Sequence, residues 1–135
     1  MKLLILILLS AVLSAVDPRI TAQIYERLLG AVFTEAQIAV YAADPEYHTI
    51  FDHSKKVLFS GSPKVVLAKN TEEIPAGNIL PVFAGSYHLL AADPNAIGAF
   101  FWEKNYPKVI FVRSRLERFG LTLSPEFSKY LIEQP

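Results

Sequence analysis

The sequence predicts a single α/β domain of three layers, a sheet covered by helices on both faces, and three observations predict it. The first is a hairpin whose strands are apolar on both sides. In the first strand Ile97, Ala99 and Phe101 alternate with Gly98, Phe100 and Trp102, and in the second Val109 and Phe111 alternate with Ile110 and Val112. Strands apolar on both faces belong to sheets sandwiched by helices. The second is the order strand, helix, hairpin, helix over residues 79–123, the most structured stretch of the chain. The third is a device used twice, Asp17-Pro18 and Asp44-Pro45, in which an aspartate caps a helix and a proline takes the first helical position.

In chain order, Met1-Lys2 is followed by an apolar run, Leu3 to Leu9, and by small residues to Ala15, the three regions of a secretory signal. The run is about half of the ~20 residues a membrane span requires. Residues 1–15 are therefore expected to be a signal peptide cleaved after Ser14 or Ala15, an uncleaved anchor being the alternative, and residues 16–135 the domain. The chain has no cysteine, so a lipid-anchored form and disulfides are both excluded, and the fold rests on its core. With 13 basic and 13 acidic residues the charge is balanced, which removes the electrostatic case for nucleic acid.

Asp17-Pro18 opens a helix whose core stripe is expected at Ile20, Ile24, Leu28 and Val32, with Leu29 beside them, ending near Phe33-Thr34. Gln37 to Ala43 reads as a buried strand, and Asp44-Pro45 starts a brief helix through about His53. Val57 to Ser60 and Val65 to Ala68 are two short strands around Gly61-Ser62-Pro63. A link this short is too small for a parallel crossover, so the two are expected to pair as a hairpin, or one to lie outside the sheet. Residues 70–78 are polar loop, and Pro81 leaves Val82 to Ala84 as the regular strand. Ser86 caps a short helix, Tyr87 to Ala91, broken by Asp93-Pro94-Asn95. Within the hairpin, Gly98 suggests a bulge or a close backbone approach. Ser114-Arg115-Leu116-Glu117 matches a capping box, Gly120 a left-handed helix end, and Ser124-Pro125 the start of a last amphipathic helix with Phe127, Tyr130 and Leu131 inward.

Chemistry is sparse in the sequence. His48, Asp52 and His53 are the nearest approach to a metal cluster, but the further ligands such a site needs are missing, and they read as a solvated helix face. Ser86 and His88 do not make a nucleophile and base, because no Gly-x-Ser-x-Gly elbow surrounds them. No glycine-rich nucleotide motif occurs, and no cofactor is expected. Gly85, Ser86 and Tyr87, where a strand passes through glycine into a helix start, form the candidate ligand-binding site, with helix capping as the plainer reading. Trp102, Lys104, Tyr106, Arg115 and Arg118 form the candidate partner-binding surface, since exposed aromatic and basic residues favour protein contact.

The order of elements, with Gln37 to Phe51, Pro81-Val82-Phe83-Ala84-Gly85, the hairpin and the closing Leu116-Glu117-Arg118-Phe119-Gly120-Leu121-Thr122-Leu123-Ser124, resembles the YfiR-like family of bacterial periplasmic proteins. The resemblance covers about a hundred residues and rests on pattern and order. It implies a Rossmann-like domain without enzymatic activity, a periplasmic location, and control of an inner-membrane signalling protein, a cyclase or sensor kinase, by contact. The alternatives are a periplasmic small-molecule or anion-binding protein of a transport system, and a hydrolase. A homodimer is left open.

Overall fold

The structure, a computed structural model, describes residues 17–135 as an α/β fold with a seven-stranded mixed sheet and flanking helices. The signal peptide expected at residues 1–15 lies outside the described residues. The elements are α1 (Pro18–Gly30), β1 (Ile38–Tyr41), α2 (Pro45–Ile50), β2 (Val57–Phe59), β3 (Val65–Ala68), β4 (Val82–Ala84), α3 (Tyr87–Ala92), β5 (Ala96–Glu103), β6 (Tyr106–Val112), α4 (Arg113–Arg118) and β7 (Leu131–Ile132). The strand order is β2-β1-β3-β4-β5-β6-β7. Every neighbouring pair is parallel except the β5-β6 hairpin.

Both Asp-Pro devices do what their residues dictate. The Asp17 carboxylate accepts from the Arg19 N–H and that of Asp44 from the Glu46 N–H, each at 2.9 Å. Of the expected stripe, Leu28, Leu29 and Val32 are buried and Ile24 packs partly buried against the core, but Ile20, at the first turn, is 43% exposed, and Ala22 and Tyr25 are buried in addition. Tyr25 joins them because its ring meets four others edge-on, a contact no aliphatic residue on that helix can supply.

Neither expectation for the two short strands holds. β2 and β3 both pair with β1, on opposite sides of it and parallel to it. β2 covers Ile38 to Val40, and β3 begins opposite Val40, where β2 stops. A parallel crossover is long because the chain must return the length of a strand. The stagger along β1 removes that return, so residues 60–64 suffice.

The hairpin turns through Lys104 and Asn105, at φ 51° and 69°, as a two-residue loop with both central residues left-handed. Gly98 fulfils both parts of its expectation. Val82 pairs with Ala96 and Phe83 with Gly98, so Ile97 is the extra residue of a bulge. The bulge moves Ile97 to the opposite face from the one its alternation with Ala99 and Phe101 predicts. It joins Phe100, Phe111 and Phe83 in the core under α1 and α2, while Ala96, Ala99 and Phe101 face Leu89 and Leu90 of α3.

At the C-terminus the expected capping box is absent. β6 runs straight into α4 with Val112 as the cap residue, and the Ser114 hydroxyl donates instead to the Glu133 carbonyl at 3.2 Å. Sheet pairing through Val112 sets the helix start earlier than the motif would. Gly120 ends α4 at φ 69°, with its N–H on the Glu117 carbonyl and that of Leu121 on the Leu116 carbonyl, the paired bonds of a Schellman end. The expected last helix is a 3₁₀ turn, Pro125–Tyr130, after which Leu131 enters the seventh strand beside β6. Phe127, Tyr130 and Leu131 do pack inward, against the α1 core.

A Cβ at Gly98 would lie 2.7 Å from the Ile110 carbonyl oxygen and 2.9 Å from the Phe111 ring. Because the first is backbone, Gly98→Ala is expected to lower the unfolding free energy by about 2 kcal/mol in urea titration. An unchanged midpoint would show that the strands can part there.

Candidate functional site

The strand order places a topological switch between β1 and β3. From β1 the chain leaves through α2 to β2 on one side, and from β3 it proceeds to β4 on the other. Open α/β sheets bind ligands outside the carboxyl ends of the strands at such a point. Here a cleft of about 470 Å³ opens, reached by residues that follow β1, β3 and β4 and by the end of β5. Tyr25 and Thr21 of α1, Tyr47 and Glu46 of α2, Lys69, Gly85 and Trp102 line it.

Lys69 is the first residue after a strand whose four side chains are all buried. Its ammonium lies 3.2 Å from an Asp44 carboxylate oxygen and bonds the Glu46 carboxylate as well, while its backbone N–H donates to Glu73 at 2.9 Å. Burial pushes the Lys69 ammonium down, but the Glu46 and Asp44 carboxylates outweigh it and hold the group above the ordinary lysine value. Asp44 is held below the ordinary carboxylate range, first by the Glu46 backbone N–H and then by Lys69.

Tyr47 is 1% exposed, and its hydroxyl has no hydrogen-bond partner among the described residues. The Tyr25 hydroxyl lies near enough to influence it without closing a bond of good geometry. Burial pushes Tyr25 up to about 12, against the opposing pull of Tyr47, and raises Tyr47 further. Both phenols are therefore neutral at neutral pH. The close fit is made possible by Gly85, where a Cβ would stand 2.8 Å from the Tyr47 oxygen and 2.9 Å from Lys69 Cγ.

Of the ligand-binding residues named from sequence, Gly85 lines the cleft, and its N–H donates to the Ala68 carbonyl. Ser86 is turned to structural work: its hydroxyl donates to the Lys69 carbonyl at 2.8 Å and accepts from the Leu89 N–H at 3.1 Å. Tyr87 is exposed on α3, outside the cleft lining. The five partner residues are not gathered on one surface. Trp102, Lys104 and Tyr106 stand at the hairpin end, with Tyr106 71% exposed. Arg115 and Arg118 lie at the other end of β5. Arg115 donates to the Leu90 and Ala96 carbonyls, and Arg118 to the Pro94 carbonyl, closing the end of α3 and the start of β5.

His48 stacks on Phe59 with ring centroids 3.9 Å apart and donates to the Ala42 carbonyl at 2.9 Å. His53 and Asp52 pair on the exposed surface. No group of three potential metal ligands occurs among the described residues. Sequence reasoning missed Tyr25, Tyr47, Glu46 and Lys69. Lys69 carried the one usable signal, a lysine closing an all-apolar strand. Comparison with protein-family models, with curated proteins and with solved structures finds no match to this chain.

The two phenols favour the fold in their neutral form. Their contribution is complete below pH 10, the ordinary tyrosine value, and for Tyr25 is lost as pH rises toward about 12. Tyr47→Phe is expected to flatten that alkaline loss in thermal unfolding and to stabilise by about 1 kcal/mol at pH 7, since it removes a buried hydroxyl without a partner. Asp44 has the opposite sign: its depressed value means that stability present above the ordinary carboxylate range drains away as pH falls through the folded-state value. Asp44→Asn is expected to shallow the acid limb of the Tm profile, and an acid limb identical to that of the parent would refute the assignment.

Proposed function

We propose that this chain is a non-enzymatic regulatory binding domain, a single three-layer Rossmann-like unit of the YfiR-like kind, exported to the periplasm and acting on an inner-membrane cyclase or sensor kinase by contact. The observation that carries the reading is the position of Trp102. It lines the carboxyl-edge cleft, packs edge-on against the buried Phe100 at 5.7 Å, and stands at the base of the arm that holds Lys104 and Tyr106 out to solvent. A molecule in the cleft and a protein on the arm would touch the same side chain.

That continuity supplies a mechanism. A ligand that favours one setting of Trp102 shifts the population of arm conformations, and the partner reads the shift. Two separate uses of β5 meet there, a core strand at its start and a contact surface at its end. The candidate nucleophile contributes nothing to a rival hydrolytic reading, because the Ser86 hydroxyl donates to the Lys69 carbonyl and caps α3.

The test is crosslinking in whole cells with a C-terminally tagged full chain, followed by isolation of the inner membrane. A membrane-bound cyclase or sensor kinase is expected to be captured, and Tyr106→Ala is expected to lower its recovery about tenfold or more with Tm unchanged, as truncation of an aromatic anchor does. Capture of a permease in its place would move the protein to transport. Capture that is insensitive to Tyr106 would remove the arm from the contact.

A further inference from the structure

Lys69 and Glu46 are the charged residues that line the cleft. The Lys69 ammonium is held by two carboxylates, Glu46 and, beyond the lining, Asp44, while Glu73 accepts only the Lys69 backbone N–H. The side wall and floor are aromatic, from Trp102, Tyr25 and Tyr47. An anion entering here would face carboxylates whose only cation is already paired. A cation would meet two carboxylates and the faces of electron-rich rings, the combination that holds ammonium groups.

The protein's own side chain already shows the pattern. Lys69 Nζ lies 5.7 Å from the Tyr47 ring centroid while it bonds both Asp44 and Glu46. The Lys69 side chain is 36% exposed, on a flexible stem that can swing into water. Beside it the Tyr47 hydroxyl is buried and without a partner among the described residues, and it and Lys69 Cγ stand 2.8 and 2.9 Å from where a Gly85 Cβ would lie.

We propose, building on the cleft-binding reading above, that the cleft takes a small organic ammonium compound with an aromatic or short aliphatic body. Its charged head replaces the Lys69 ammonium between Asp44 and Glu46 and donates to the Tyr47 oxygen, and its body lies along Trp102. Lys69 then acts as an internal competitor that occupies the seat when the ligand is absent. Its release toward solvent accompanies a new contact on Trp102, which is how occupancy would reach the hairpin arm.

Trp102 is the sole tryptophan of the chain, so its fluorescence reads the cleft directly. The probes are 2-phenylethylammonium, its neutral counterpart 2-phenylethanol, and phenylacetate. The ammonium is expected to change Trp102 emission saturably, with a Kd about tenfold or more below those of the other two, a difference of about 1.4 kcal/mol. Glu46→Gln, at an exposed position, is expected to weaken it several-fold, and Lys69→Met to tighten it by removing the competitor. Phenylacetate binding as well as the ammonium, or a folded Lys69→Met variant that loses the ammonium, overturns the proposal. In the first case the cleft remains a ligand site of another class. If none of the three probes moves Trp102 emission, the ammonium proposal falls, while the membrane crosslinking result stands or falls by itself. Should Lys69→Met fail to fold, the Glu46→Gln comparison decides.

Discussion

The structure depends on one ring. Tyr25 of α1 meets Tyr47 and Phe51 of the α2 segment, Phe83 of β4 and Phe100 of β5 edge-on, with centroids 5.3–6.0 Å away. Each such pair contributes roughly 0.5–1.5 kcal/mol beyond the area it buries. These four contacts tie the first helix to the second and both to the middle of the sheet. The hydroxyl end of the same side chain comes out beside Tyr47 at the cleft floor. Packing and site are therefore built from a single residue, and a change that loosened the ring would reshape the cavity before it exposed much core.

Two irregularities shape the sheet beneath that core. The stagger of β2 and β3 along β1 lets the chain switch sides within residues 60–64 and so sets the sheet's switch point at β1 and β3. The bulge at Ile97 adds a residue to β5 and puts Ile97 on the α1 face beside Phe100. Gly98 permits that bulge because no side chain can fit between the Ile110 carbonyl and the Phe83 and Phe111 rings. A regular sheet of the same composition would have placed Ile97 among the alanines under α3, where the space is small.

Basic residues divide by location. Arg115 and Arg118 satisfy carbonyls at the end of α3 and the start of β5, places where a short helix and a loop leave acceptors without partners. Desolvation lowers the Arg115 value from that of a free guanidinium, as expected for a group that serves as a structural clamp. Lys69 satisfies carboxylates, with its ammonium 5.7 Å from the Tyr47 ring centroid. Lys104 alone of these has no role in holding the described fold together beyond its left-handed turn. The cleft and the exposed tip of the arm both belong to the far end of β5.

The sequence by itself determined the local structure: both Asp-Pro helix starts, the Ser86 cap, the hairpin, the Gly120 helix end and the two-sided burial of β5 and of the end of β6. These follow from interactions between residues a few positions apart, or from a strand's own alternation, and both are written in the linear order. Tertiary structure alone decided the order of strands, the stagger that defeated the hairpin expected around Gly61, the bulge that reversed Ile97, the loss of the capping box to sheet pairing, and the shortening of the last helix to a 3₁₀ turn that leads into a seventh strand. It also decided the site. Tyr25, Tyr47, Lys69 and Trp102 are far apart in the chain and carry no motif; Lys69 and Trp102 meet because parallel strands bring their carboxyl ends to one edge of the sheet, and Tyr25 and Tyr47 join them from the two helices packed on that face.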